Sequence, residues 1–393
     1  MVSPSFYLAR IPPVHFGPGK RALLPKTAEA FGREALLVTG AASLKADGRL
    51  DAIQAGLREA GIRFRTVLIE AEPSTLFIDG TCAELRDSGL EMVIGIGGGS
   101  VIDAAKALSA MLLHGNSVLD HLEDVGRNVP HSGVKLPFIA VPTTSGTGGE
   151  MTKNAVISTI GPDGYKKSLR HENLIPDAVI VDPELMTTCP PHITAACGMD
   201  AFTQLLEPYL SPAASPLTDA LALEGLEKIR DNLIPACTGR GGDVSVRAGL
   251  AYASMLSGVA LANAGLGVVH GLASPIGGFF PIPHGVVCGT LVGSATRANI
   301  EALRRSGSNP GALAKFAAVG ELLGGISGKG TDYNCDLLVE KLGEWIELLD
   351  LPRLGRYGVG ESDLDRIAEK TSNRNNPVKL ERDEICRLLA RRL

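Results

Sequence analysis

Four polar side chains interrupt otherwise apolar stretches in the second half of the sequence: Asp200, Gln204, His270 and His284. Asp200 and Gln204 stand four residues apart in MDAFTQLLEPYLS (199–211), a spacing that puts both on one side of a helix. An i, i+4 pair joined by two histidines from a later segment is how a helical scaffold collects ligands around one divalent cation. Each residue has a plainer reading too. A lone histidine is commonly satisfied in a core, and Asp200 can serve as an N-cap within ITAACGMDAF. The set favours the ion, because a buried carboxylate needs a cation or several donors to offset its desolvation. Gln204 is the odd member. Its amide oxygen can coordinate, but it is neutral and a weaker donor than imidazole, so affinity for iron or zinc is expected to fall while Asp200 and the two histidines remain. Without a metal, Gln204 would hydrogen-bond a substrate carbonyl directly, with the other three as a polar pocket.

A second chemistry is written in glycine. MVIGIGGGSVIDAAK (92–106) reads as an apolar strand, a glycine cluster and a helix, with Gly97, Gly98, Gly99 and Ser100 at the turn. Glycine lets the backbone approach a diphosphate closely, and the free N–H groups of the first helical turn bind an anion along the helix dipole. The pattern matches neither a Walker A loop nor the strict G-x-G-x-x-G, and by itself such a turn is either a phosphate site or tight packing. A second cluster, PTTSGTGGE (142–150), also follows a strand and supplies Thr143, Thr144 and Thr147. Two such turns at the carboxyl ends of one sheet favour a dinucleotide. After the first strand, where an acidic residue would repel a 2′-phosphate, the chain has Gly40-Ala41-Ala42-Ser43. NADP is therefore compatible as well as NAD, with Ser43 or Lys45 available to hold it.

The elements that must position these groups follow from periodicity. Short β-rich runs at 35–39, 64–69, 92–96, 137–144, NAVIST and 177–182 alternate with helical patterns, which predicts a parallel sheet covered on both faces. After Asp182-Pro183 only Ala- and Leu-rich segments of helical period follow, so the sequence divides into an α/β domain at 1–185 and an all-helical domain at 186–393. Residues 306–311, 324–330 and 373–377 read as loops between helices. No Lys, Arg, Asp or Glu occurs between Arg247 and Arg297. Glycines, prolines and two histidines there argue for helix buried in protein rather than a membrane span, with only the part before Pro275 forming one helix. With 45% apolar and 21% charged residues, a net charge of −5 and no basic run, nucleic acid and anionic membrane are not expected partners. Seven scattered cysteines without a C-x-x-C pair, and an N-terminus lacking a secretory pattern, point to a reducing, cytoplasmic setting.

In order, GIGGGSVIDAAKAL, PTTSGTGGEMTKNAVI, PDAVIVDPEL, GMDAFTQLLEPYLS and VVHGLASPIGGFFPIPHG resemble the iron-containing (group III) alcohol dehydrogenases, which share a fold with glycerol dehydrogenase and dehydroquinate synthase. The likeness runs from His15-Phe16-Gly17 to the end of the chain, including Asn375-Asn376-Pro377. It implies an N-terminal Rossmann-like nucleotide domain, an all-helical C-terminal domain and catalysis in the cleft between. It places Gly98, Gly99 and Ser100 on the pyrophosphate, Thr143, Thr144 and Thr147 along the nucleotide, Leu185 near the adenine and Lys167 at the nicotinamide ribose. It puts metal ligands at Asp200, position 204, His270 and His284. The chain departs from the pattern twice, with Gln204 where the family usually has histidine and Ser274 where it often has a second one. Ser274 thus replaces a histidine linked to proton relay, leaving the relay to Ser274, the ribose hydroxyls or water. The implied activity is NAD(P)-dependent alcohol oxidation and aldehyde reduction, metal-assisted, in a homodimer or larger assembly. Its rivals are a metal-independent keto-acid reductase resembling maleylacetate reductase, a dehydroquinate-synthase-like lyase and a nucleotide-binding protein without catalysis.

Overall fold

The computed structural model describes residues 5–40 and 48–393. Ser43 and Lys45 lie outside the described residues. Through the first half the chain runs β1 (Val14–Phe16), α1 (Leu24–Glu29), β2 (Glu34–Gly40), α2 (Arg49–Glu59), β3 (Arg63–Ile69), α3 (Thr75–Leu85), β4 (Met92–Gly97), α4 (Gly99–Met111), β5 (Phe138–Pro142), β6 (Asn154–Thr159), β7 (Tyr165–Arg170) and β8 (Ala178–Val181). Six strands form one parallel sheet in the order β1-β8-β5-β4-β2-β3. Its inner strands read as apolar runs because both faces are covered: Leu36, Val38 and Val93 pack with Val101 and Leu108 of α4, while Leu37, Ile94 and Ile96 pack with Leu50 and Leu57 of α2. From β2 the chain moves outward to β3 and then returns to β4 on the other side. The strand order therefore reverses between β2 and β4, and ligands of open α/β sheets lie beyond the carboxyl ends at such a point.

NAVIST does not join this sheet, which corrects the expectation of a single alternating series. As β6 it pairs antiparallel with β7 in a separate hairpin. The connection over 160–164 is too short for the crossover that a parallel pair requires.

After β8 the described residues hold no further strand. The helices are α5 (Pro191–Leu210), α6 (Pro216–Cys237), α7 (Val244–Ala264), α8 (Val268–Phe279), α9 (His284–Ser306), α10 (Pro310–Gly324), α11 (Thr331–Leu348), α12 (Leu364–Lys370) and α13 (Arg382–Ala390). Asp200 lies in the middle of α5, whose N-cap is Pro190, so the capping role is excluded. The charge-free stretch begins within α7, contains α8 and runs into α9, and it breaks before Pro275 rather than at it. The break is Gly265, at φ 71°, where a Cβ would come within 2.3 Å of Asn375 Nδ2. Pro275 sits inside α8, where it forgoes one backbone hydrogen bond. By length and composition α7 could cross a membrane, but in this fold it packs against α5 and α6 with 61% of its most apolar window buried.

Candidate active site

The glycine turn forms where β4 hands over to α4. Gly98 is the N-cap, without a side chain to accept from the first helical N–H groups, so these remain available to an anion. The threonine loop after β5 packs directly on this turn. Thr143 N–H donates to the Gly97 carbonyl at 2.9 Å. A Cβ on Gly98 would approach Thr144 Cγ2 to 3.2 Å, and one on Gly99 would reach Thr147 Cγ2 at 2.9 Å. The two clusters make one cradle, and the absence of a side chain at Gly98 and Gly99 lets them pack this closely. Gly148, at φ 55°, seats the loop on α7, where a Cβ would strike the Ser254 carbonyl oxygen at 2.4 Å.

A cavity of about 1660 Å³ opens between this cradle and the helical half. That exceeds the roughly 300–1,000 Å³ of a single-ligand pocket and leaves room for a dinucleotide beside a small substrate. Gly99, Ser100, Thr147, Lys167, Asp200, Gln204, His270, Ser274 and His284 all line it. Gly97, Gly98, Thr143 and Thr144 stand behind that surface, and Gly40 ends β2 across the reversal point, 3.8 Å from Val101 by its notional Cβ. Leu185 is 2% exposed and belongs to the core under the sheet. Lys167, on the hairpin, holds Asp124 at 3.0 Å.

Opposite the cradle, α5, α8 and α9 bring the polar islands together. His270 Nε2 lies 3.4 Å and His284 Nε2 3.7 Å from Asp200 Oδ1. Cys288, one turn beyond His284, places Sγ 3.7 Å from His284 Nε2. Tetrahedral ligands at 2.0–2.3 Å from a metal stand about 3.3–3.8 Å from one another, which these separations match. Among the described residues, five buried side-chain polar atoms lack a hydrogen-bond partner, and three of them are Asp200 Oδ1, His270 Nε2 and His284 Nδ1. Asp200 Oδ1 and His270 Nε2, 3.4 Å apart and each without a hydrogen-bond partner, are what a shared cation would satisfy, and with His284 Nε2 and Cys288 Sγ beside them the residues fit a divalent ion.

Glu207 supports the cluster from behind. Its Oε1 accepts from Val269 N–H at 2.6 Å, and its Oε2 accepts from His270 Nδ1–H at 2.7 Å, which turns Nε2 toward Asp200. Asp200 supplies the site with negative charge. Burial opposes ionisation of Asp200, but His284 and His270 hold it below the usual carboxylate range. Burial likewise works against a charged His270, yet Cys288, Asp200 and Glu207 raise it well above its ordinary value. Burial pushes His284 down to about 4 and the Cys288 thiol up to about 12.

Gln204 faces elsewhere with its amide nitrogen, which donates to the Thr147 carbonyl at 2.7 Å and to Ser257 Oγ at 2.9 Å. It thereby ties α5 to the threonine loop. Ser274 Oγ donates to the Lys166 carbonyl at 2.8 Å. Sequence reading missed Cys288 and Glu207. Both carry a signal, since Cys288 is four residues after His284 and Glu207 is seven after Asp200, each on the same helix face as its partner.

Comparison with known proteins assigns the two halves of the chain to one family. The family model described as iron-containing alcohol dehydrogenase matches residues 12–183, and that of the Fe-containing alcohol dehydrogenase family, C-terminal, matches residues 194–393. The chain is 31% identical over 385 residues to the NADPH-dependent butanol dehydrogenase of Clostridium saccharobutylicum, covering 95% of each. It is 34% identical over 376 residues to long-chain-alcohol dehydrogenase 1 of Geobacillus thermodenitrificans, covering 92% of this chain and 90% of that one. A solved 1,3-propanediol oxidoreductase superposes with a TM-score of 0.86 at 30% identity, over 99% of this chain and 100% of the other.

Proposed function

The chain belongs to the iron-containing alcohol dehydrogenase family, and from that premise we propose that a cation held by Asp200, His270 and His284 serves its NAD(P)-dependent oxidation of alcohols and reduction of aldehydes. One observation carries the reading: the orphaned donor atoms of these residues line the same cavity as the glycine cradle, so an alcohol carbon and a nicotinamide ring can meet between them. When bound, the cation supplies Lewis acidity at the substrate oxygen and the coenzyme supplies the hydride acceptor.

The chain's own residues do the rest. Gly99 and Ser100 present backbone N–H groups to the pyrophosphate, with Gly97, Gly98, Thr143 and Thr144 shaping the cradle and Thr147 and Lys167 along the nucleotide. Glu207 fixes the tautomer of His270. Gln204 acts as a clip between the two halves. Ser274, with its hydrogen given to the Lys166 carbonyl, offers only lone pairs to the cleft, which leaves the ribose hydroxyls or water as the relay. Leu266, Ile282 and Val286, which also line the cavity, give an alkyl chain an apolar wall.

The division near residue 185, a cytoplasmic setting and a homo-oligomeric state belong to the same proposal. Seven free cysteines support the second, and the exposed Phe6, Tyr7, Leu8 and Ile11 beside edge strand β1 support the third. The direct test follows absorbance of NADH and NADPH over a panel of primary alcohols and aldehydes. Turnover with at least one pair is expected, whereas coenzyme binding without turnover on the whole panel would defeat the proposal.

A further inference from the structure

We infer that Cys288, as its thiolate, is the fourth ligand of the cation site beside Asp200, His270 and His284; this rests on the cation reading above. His284 opens α9 and Cys288 follows one turn later, the spacing that stacks two side chains on one helix face. One donor atom from each of Asp200, His270, His284 and Cys288 lies within 4.8 Å of all the others. A buried cysteine is ordinarily a small inert hydrophobe. This one is fully buried, and besides its apolar neighbours its sulfur stands near a carboxylate and two imidazoles.

The helix packing explains how the thiol reaches them. Gly285 and Gly289 flank Cys288 on the face of α9 turned to α5, where a Cβ would meet the Ala196 carbonyl oxygen at 2.7 Å or Met199 Cβ at 2.9 Å. Their lack of side chains lets α9 lie close against α5 at the level of Asp200, so a side chain as short as cysteine spans the gap. Gln204, in contrast, is drawn toward the threonine loop by its two hydrogen bonds. Ligation releases the Cys288 thiol proton to solvent and involves no change of oxidation state. A soft sulfur donor in place of an amide oxygen shifts the site toward zinc and cobalt and away from hard cations.

The test strips the full-length protein with a chelator, reloads it with cobalt(II) and reads bound cobalt and the near-ultraviolet sulfur-to-cobalt charge-transfer band, with no coenzyme added. One cobalt per chain with that band is expected. Cys288→Ser should lose the band and weaken cobalt binding by more than the roughly 10–100-fold that loss of a supporting hydrogen bond costs such a site. Cys197→Ser, which removes another cleft thiol, should keep the band. Cobalt bound without the band, or a band that survives Cys288→Ser or vanishes with Cys197→Ser, overturns the assignment and leaves the cation site standing. A parent protein that binds no cobalt overturns both. If Cys288→Ser does not fold, a band retained by Cys197→Ser still assigns it to Cys288, the remaining thiol among the ligands.

Discussion

Gln204 separates two descriptions of the site at the level of a single side chain. As a ligand, its removal would release metal; as a clip, it leaves the Thr147 carbonyl without its donor and Ser257 Oγ without the amide hydrogen. The account expects Gln204→Ala to lose about 1–3 kcal/mol of stability by urea unfolding while bound metal stays at the parental level. Metal lost in proportion to the substitution would restore Gln204 as a ligand. Asp200, His270 and His284 were legible in the sequence because each is a polar island in an apolar run. Cys288 was not, since VVCGTL reads as ordinary core until its neighbours across the helix interface are known. Glu207 was hidden for the opposite reason, because a glutamate on a helix is expected to face water.

At the level of elements, the contact between the glycine turn and the threonine loop decides coenzyme binding. Gly99→Ala pushes a methyl group against Thr147, and a displacement of that size at a phosphate cradle should raise KM for the coenzyme by roughly 10–100-fold while KM for the alcohol changes little. Equal changes in both would mean the turn does not hold the coenzyme. A second element test concerns the loop that follows α4. His131 is buried, and burial pushes it down to about 4 from 6.5, with His114, His121 and His171 adding to the effect and a hydrogen bond to the Ala110 carbonyl opposing it. Between those pH values the unfolded chain carries a proton that the folded chain lacks, so stability falls as pH drops from 6.5 toward 4, and His131 contributes no pH dependence above that window. His131→Gln should remove this component, narrowing the stability gap to the parent by up to about 3 kcal/mol between pH 7 and pH 4. A gap that stays constant would contradict it. The inner strands β2, β4, β5 and β8 of the parallel sheet were legible because burial on both faces leaves apolar runs, whereas edge strand β1, three residues long, was not. The β6–β7 hairpin was not, as four of the six residues of its second strand, YKKSLR, are polar, and α8 passes through a proline that sequence rules treat as a stop.

For the whole molecule, the cleft exists because a sheet with a strand-order reversal is set against a helical half, and the hydrogen bond from Gln204 to the threonine loop is one of the links between them. The exposed apolar residues at the N-terminal end predict self-association, so sedimentation should report at least twice the 41.0 kDa of one chain. A species of one chain at micromolar concentration would remove that expectation. The central claim concerns the cation, and it is tested most directly by alcohol oxidation with NAD(P) in protein whose metal has been removed and counted by elemental analysis. The account predicts about one divalent ion per chain before chelation, loss of turnover in step with loss of the ion, recovery on adding it back, and no recovery in Asp200→Asn. Full turnover by protein verified to hold no metal would contradict it.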